Sequence, residues 1–163
     1  MSDRTTTAIS LFSKGFNCAQ SVLSAFSNDF DLEEIDALRV AGMFGAGMGQ
    51  MGKVCGAATG AFMVIGLLYS KTKEGEDAQK LEGYSLVQEF SERFTTIHGM
   101  IDCRALIGVD LRTPEGRAEA KAKKVFETCC PAYIKDAVQI LEDIIPQLDK
   151  KKVDGILFFK NRQ

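Results

Sequence analysis

The chain has 163 residues, 45% hydrophobic and 26% charged, which suits one globular domain able to bury a core without disulfides or metal. Its formal net charge of −2 provides no electrostatic footprint for nucleic acid or an anionic membrane surface. The first fifteen residues, MSDRTTTAISLFSKG, hold neither a continuous apolar run nor a small-residue cleavage site, so the cytoplasm is the expected compartment, where thiols stay reduced unless used.

A first helix is expected from about Asp3 to Lys14, with Ala8, Ile9, Leu11 and Phe12 as its apolar positions and Gly15 as its stop. Asn17 is a good N-cap type for a second helix reaching about Phe26. Cys18, Val22 and Phe26 follow i, i+4, i+8, which puts Cys18 on the buried stripe. A third helix is expected over about Leu32 to Ala41, with Glu33 and Glu34 in its first turn. Gly42, Gly45, Gly47, Gly49 and Gly52 then predict a tight loop rather than regular structure.

Val54 to Tyr69 carries no charge, yet it is shorter than the ~20 apolar residues of a spanning helix. It reads as the buried central helix of a bundle, and Gly56 and Gly60, with Ala57 and Ala61 beside them, let another backbone come close. From about Glu76 to His98, Leu81, Tyr84, Val87, Phe90, Phe94 and Ile97 recur at three- and four-residue steps as the clearest amphipathic pattern in the chain. Asp102 to Leu106 predicts a short helical turn. Pro114 opens a charged helix to about Glu127, and Pro131 opens a last helix to about Ile145. The expectation is an all-α, single-domain bundle of about six helices over residues 1–147, followed by a basic and apolar tail, 148–163, of no assigned conformation.

The five cysteines are Cys18, Cys55, Cys103, Cys129 and Cys130. One cysteine alone reads as a small core residue. Four of these, Cys18, Cys55, Cys103 and Cys130, fall at or near predicted helix N-termini, where backbone N–H groups and the helix dipole favour a thiolate. No C-x2-C pair is present, so neither a thioredoxin motif nor a zinc ribbon is written here. Distant cysteines can converge in a bundle. Four thiolates would suit zinc or a small iron–sulfur cluster, and two would suit a reversible disulfide. The adjacent Cys129 and Cys130 leave one of the two as a spare or substitute.

Four stretches carry a resemblance: GFNCAQSV (Gly15 to Val22), GQMGKVCGAATG (Gly49 to Gly60), DCRALIG (Asp102 to Gly108) and CPAYIKDA (Cys130 to Ala137). The chain resembles the C-GCAxxG-C-C family of proteins described as redox-active. The resemblance implies that the four family cysteines are Cys18, Cys55, Cys103 and Cys130, and that the glycine motif falls on Gly56, Ala57 and Gly60, with Cys129 extra to the pattern. Where the family name writes Gly-Cys-Ala, this chain reads Cys-Gly-Ala. The resemblance names neither substrate nor reaction.

Gly47 to Gly52 also spells G-x-G-x-x-G, but a dinucleotide fingerprint needs a preceding strand, and Asp36 to Ala41 reads helical. Gly49, Gly52, Gly56 and Gly60 remain candidate cofactor-binding glycines, because loop N–H groups at a helix N-terminus can hold an anion or a cluster sulfide. His98, the single histidine, sits at a predicted helix end, where its partial positive charge suits the dipole better than a metal does. Met43, Met48 and Met51 read as core filling.

The functional expectation is a thiol-based redox or metal-thiolate protein. Cys18, Cys55, Cys103 and Cys130 are its metal ligands if iron–sulfur or zinc binds; Cys55 and Cys103 are its redox residues if none does. The alternative is a non-catalytic helical binding or oligomerisation module with structural cysteines. The redox partner is not named by the sequence, nucleic acid and membrane are not expected, and a homo-oligomer is left open.

Overall fold

The computed structural model describes residues 1–145, so the tail assigned to 148–163 lies outside the described residues. Eight helices of five residues or more follow one another: α1 (Asp3–Ser13), α2 (Cys18–Phe26), α3 (Glu34–Ala41), α4 (Gly56–Tyr69), α5 (Asp77–His98), α6 (Cys103–Ile107), α7 (Pro114–Ala122) and α8 (Cys130–Ile144). The all-α class stands, but eight helices replace the expected six or so. The stretch after Asp102 closes into a true helix. The charged helix expected to reach Glu127 breaks at Lys124, whose φ of 52° is left-handed and starts a separate turn, Val125–Thr128. Among the described residues there is no strand, only one antiparallel bridge between Val54 and Asp102. No helix among them is long and apolar enough to cross a membrane.

α2 and α4 form the centre. α2 packs against α1, α3 and α4, while α8 closes the bundle over α1, α2, α4 and α5. The α2–α4 crossing is close because α4 offers glycine there. A Cβ on Gly60 would stand 2.9 Å from the Ala19 carbonyl oxygen and from Val22 Cβ, and one on Gly56 would stand 3.0 Å from Cys18 Cβ. Both are packing glycines, which places the N-terminal ends of α2 and α4, and so Cys18 and Cys55, against each other.

On α5 the buried line is Gly83, Phe90 and Phe94, continued by half-buried Val87 and His98. Leu81, Tyr84 and Ile97, expected on the same stripe, are exposed. The core side is set by Gly83, which seats against Tyr69 Cβ, and this turns the neighbouring position 84 outward.

Arg4 is 6% exposed. Its Nε donates to Asp29 Oδ2 at 2.8 Å and its Nη1 to Glu142 Oε1 at 3.1 Å, with the guanidinium over the Phe26 ring. One cation thus ties α1 to the turn after α2 and to α8. Arg4→Ala would leave two largely buried carboxylates facing each other, so a loss of about 3–5 kcal/mol is expected, read as a lower urea midpoint at unchanged slope.

Candidate thiol site

Each of the four cysteines is placed by a local device. Asn17 caps α2 through a reciprocal pair: its Oδ1 accepts from the Gln20 N–H at 3.0 Å, and Gln20 Oε1 accepts from the Asn17 N–H at 2.9 Å. Asn17 Nδ2 also donates to the Gly42 carbonyl at 2.8 Å, which ties Cys18, the first residue of α2, to the glycine loop. Cys55 and Cys103 follow the two bridge residues. The Cys55 N–H donates to the Ile101 carbonyl at 2.8 Å and the Cys103 N–H to the Lys53 carbonyl at 2.7 Å, so the two paired segments hold these cysteines side by side. Cys130 opens α8, one residue before Pro131. Cys129 is half-buried beside Thr128.

The glycine loop that covers Cys103 takes an unexpected form. Ala46, Gly47, Met48, Gly49 and Gln50 all have φ between 53° and 69°, and the Gly49 N–H donates to the Gly45 carbonyl at 3.0 Å. This is a turn of left-handed helix, not an irregular loop. Left-handed backbone costs each non-glycine residue roughly 1–2 kcal/mol, and alternation with glycine leaves three of the five residues, Ala46, Met48 and Gln50, to bear it. Gly47 lies directly on Cys103, so a Cβ there would be 2.7 Å from Cys103 Cβ. Met43 and Met51, expected in the core, flank this turn and are 77% and 52% exposed.

Cys18, Cys55, Cys103 and Cys130 all line one cavity of about 630 Å³, and none is more than 8% exposed. Much of the remaining wall is apolar, with Phe12, Phe16, Leu106, Ile107, Phe126 and Tyr133 on it, and Ser13, Asn17 and Glu127 are its polar members besides the tyrosine. Sequence reasoning missed Phe16, Phe126 and Tyr133. Only Tyr133 left a signal, lying three residues beyond Cys130 on the same helix face. The Tyr133 hydroxyl donates to the Leu106 carbonyl at 3.0 Å and locks α8 to α6.

The expected thiolate stabilisation is overturned for three of the four. Cys18 holds its proton well above the ordinary thiol range, first through its hydrogen bond with Cys130, then through burial and the neighbouring sulfurs. Burial pushes Cys55 up to about 11, against the downward pull of the Ala57 and Ala58 N–H groups. Burial, then the charges of Cys55 and Cys130, push Cys103 up to about 12. Desolvation therefore outweighs the helix N-terminus. Cys130 alone goes down, because the Cys18 S–H donates to its sulfur. All five cysteines are free thiols. Among the described residues no three His, Cys, Asp or Glu side chains gather tightly enough to hold a metal ion.

His98 ends α5, as expected, but its surroundings are tertiary. Its Nε2 is 3.3 Å from Asp136 Oδ2, and its ring packs on Phe94 and Tyr133 at centroid distances of 4.6 and 4.8 Å. Burial lowers its pKa, partly offset by Asp136. A histidine depressed in the folded state binds fewer protons than in the unfolded chain, so stability is complete above about 6.5 and falls as pH drops below it. His98→Gln is expected to flatten this acid-side loss in denaturant midpoints measured between pH 7 and pH 5.

The family model whose description reads "Putative redox-active protein (C_GCAxxG_C_C)" matches residues 16–144. The chain belongs to this family. The match runs from the α2 cap to the end of α8 and includes every cysteine on the cavity wall. No curated protein and no solved structure matches the chain. The G-x-G-x-x-G stretch has no strand before it among the described residues; α3 precedes it. Gly52 lies against Arg104 and Gly49 is exposed at the outer side of the turn.

Proposed function

We propose that the chain works by thiol–disulfide redox chemistry, with Cys18 and Cys130 as the first dithiol and Cys55 and Cys103 as a second. The observation that carries this reading is the convergence of four sequence-distant thiols on one cavity, with the proton affinities of Cys18 and Cys130 moved in opposite directions by their mutual interaction. Cys130 is the attacking sulfur, since it alone is eased toward thiolate, and Cys18 is placed to resolve the adduct. The bridge at Val54 and Asp102 supports the second pair.

A metal-thiolate centre is the second reading. Its support is the donor set: four thiols at four helix starts suit zinc or a small iron–sulfur cluster. As they stand, the side chains do not close into such a group, and binding would require them to turn inward and lose their protons. Anaerobic purification followed by a visible spectrum, metal analysis and a thiol count separates the readings. The dithiol reading expects no stoichiometric metal and two thiols lost reversibly on mild oxidation. Iron with charge-transfer bands, or one zinc per chain, lost in Cys55→Ser, would replace it. Five thiols inert in the folded chain would leave a structural helical module.

A further inference from the structure

The cavity wall restricts what can oxidise these thiols. All four are at most 8% exposed, so a protein partner's disulfide cannot reach them as it reaches a surface thiol. The oxidant has to enter as a small molecule, and about 630 Å³ is an ordinary size for such a site.

The wall also selects for charge. Among the described residues no lysine, arginine or histidine lines the cavity, and the one acid on it is Glu127, which is exposed. A dinucleotide, or glutathione with its carboxylates, would lose its hydration and gain no counter-charge. Four aromatic rings, Phe12, Phe16, Phe126 and Tyr133, stand on the wall instead, and flat aromatic surfaces favour a flat apolar ring.

We propose that the cavity binds an uncharged quinone, which accepts the electrons of the Cys18–Cys130 dithiol; this rests on the dithiol reading above. The balance is complete. Two S–H bonds break and one S–S bond forms. The quinone takes the two electrons and two protons, one proton on each carbonyl oxygen, and leaves as the hydroquinone.

The test uses the reduced full-length chain under anaerobic conditions with tetramethyl-1,4-benzoquinone, whose ring positions are all blocked against thiol addition. The expected result is one quinone reduced and two thiols lost per chain, with a rate that saturates in quinone. A trimethylbenzoquinone bearing a carboxylate side chain should react on the order of ten-fold more slowly or worse, since its charge enters unpaired. Phe16→Ala and Phe126→Ala, each shown folded by circular dichroism, should raise the half-saturating concentration about five-fold. Diamide, a small neutral oxidant, separates the two ways of failing. If diamide closes the disulfide but the quinone does not react, or reacts without saturation and as fast when charged, the inference is wrong and the dithiol reading stands. If diamide also fails on the folded chain, both fall.

Discussion

Replacing Cys130 with serine is expected to slow disulfide formation in the folded chain by about twenty-fold or more at pH 8. The wild-type chain treated with one equivalent of diamide should lose two thiols, and a digest should contain the α2 and α8 peptides linked as one mass. The factor follows from the second cavity pair, Cys55 and Cys103, on which disulfide formation in the cavity then depends. Cys55, held up at about 11, is ionised in only about one molecule in a thousand at pH 8, against roughly a quarter for an ordinary thiol. The higher intrinsic nucleophilicity of a basic thiolate returns about a factor of ten. Cys103, at about 12, is slower still. Residual oxidation in Cys130→Ser should therefore climb about ten-fold per pH unit between 8 and 10, whereas the wild-type rate should level off earlier because Cys130 is the eased thiol. A Cys130→Ser chain that oxidises at the wild-type rate with the wild-type pH profile would remove the Cys18–Cys130 pair from the reading.

The helix starts that carry the cysteines were legible because caps are local. Asn17 and Gln20 form their reciprocal pair within four residues, and Pro131 fixes the start of α8 without help from elsewhere. Gly56 and Gly60 were legible as a close-approach surface for the same reason: absence of a side chain is written in the sequence, though the partner α2 is not. The cavity was not legible, because its aromatic wall is drawn from α1, from the residue before the α2 cap, from the turn beyond the break at Lys124 and from α8. Nor was the direction of the thiol shifts. The helix N-terminus acts over one turn and can be read from sequence, but burial is a property of the whole fold and here it is the larger effect. The glycine run announced unusual backbone without its handedness. Ala46, Met48 and Gln50 are individually unfavourable there, and they are held by contacts from elsewhere: Thr59 Oγ1 to the Phe44 carbonyl, Asn17 to the Gly42 carbonyl, and the Lys53 N–H to the Gly47 carbonyl.

Gly47→Ala is the backbone change expected to cost most at the site. Gly47 has a φ of 69°, and a Cβ added there would meet Cys103 Cβ at 2.7 Å, Gly52 Cα at 2.8 Å and the Gly52 carbonyl carbon at 2.9 Å. The left-handed backbone costs an alanine roughly 1–2 kcal/mol, and forcing a methyl into packed backbone adds about 1–3 kcal/mol. The sum, about 2–5 kcal/mol, corresponds to a fall in Tm on the order of 10 °C for a chain of this size. Gly49→Ala is the matched comparison. Its φ is 64°, nearly the same, but the nearest atom to its Cβ is the Met43 carbonyl oxygen at 3.7 Å, an ordinary contact. It should show the backbone cost alone, roughly 1–2 kcal/mol. Thermal unfolding of the two variants side by side isolates the packing of the turn onto Cys103. Equal losses would mean that handedness, not contact with the thiol floor, is what the glycines serve. The unequal loss expected here would mean that the left-handed turn is shaped to lie flat on Cys103 and close that side of the cavity.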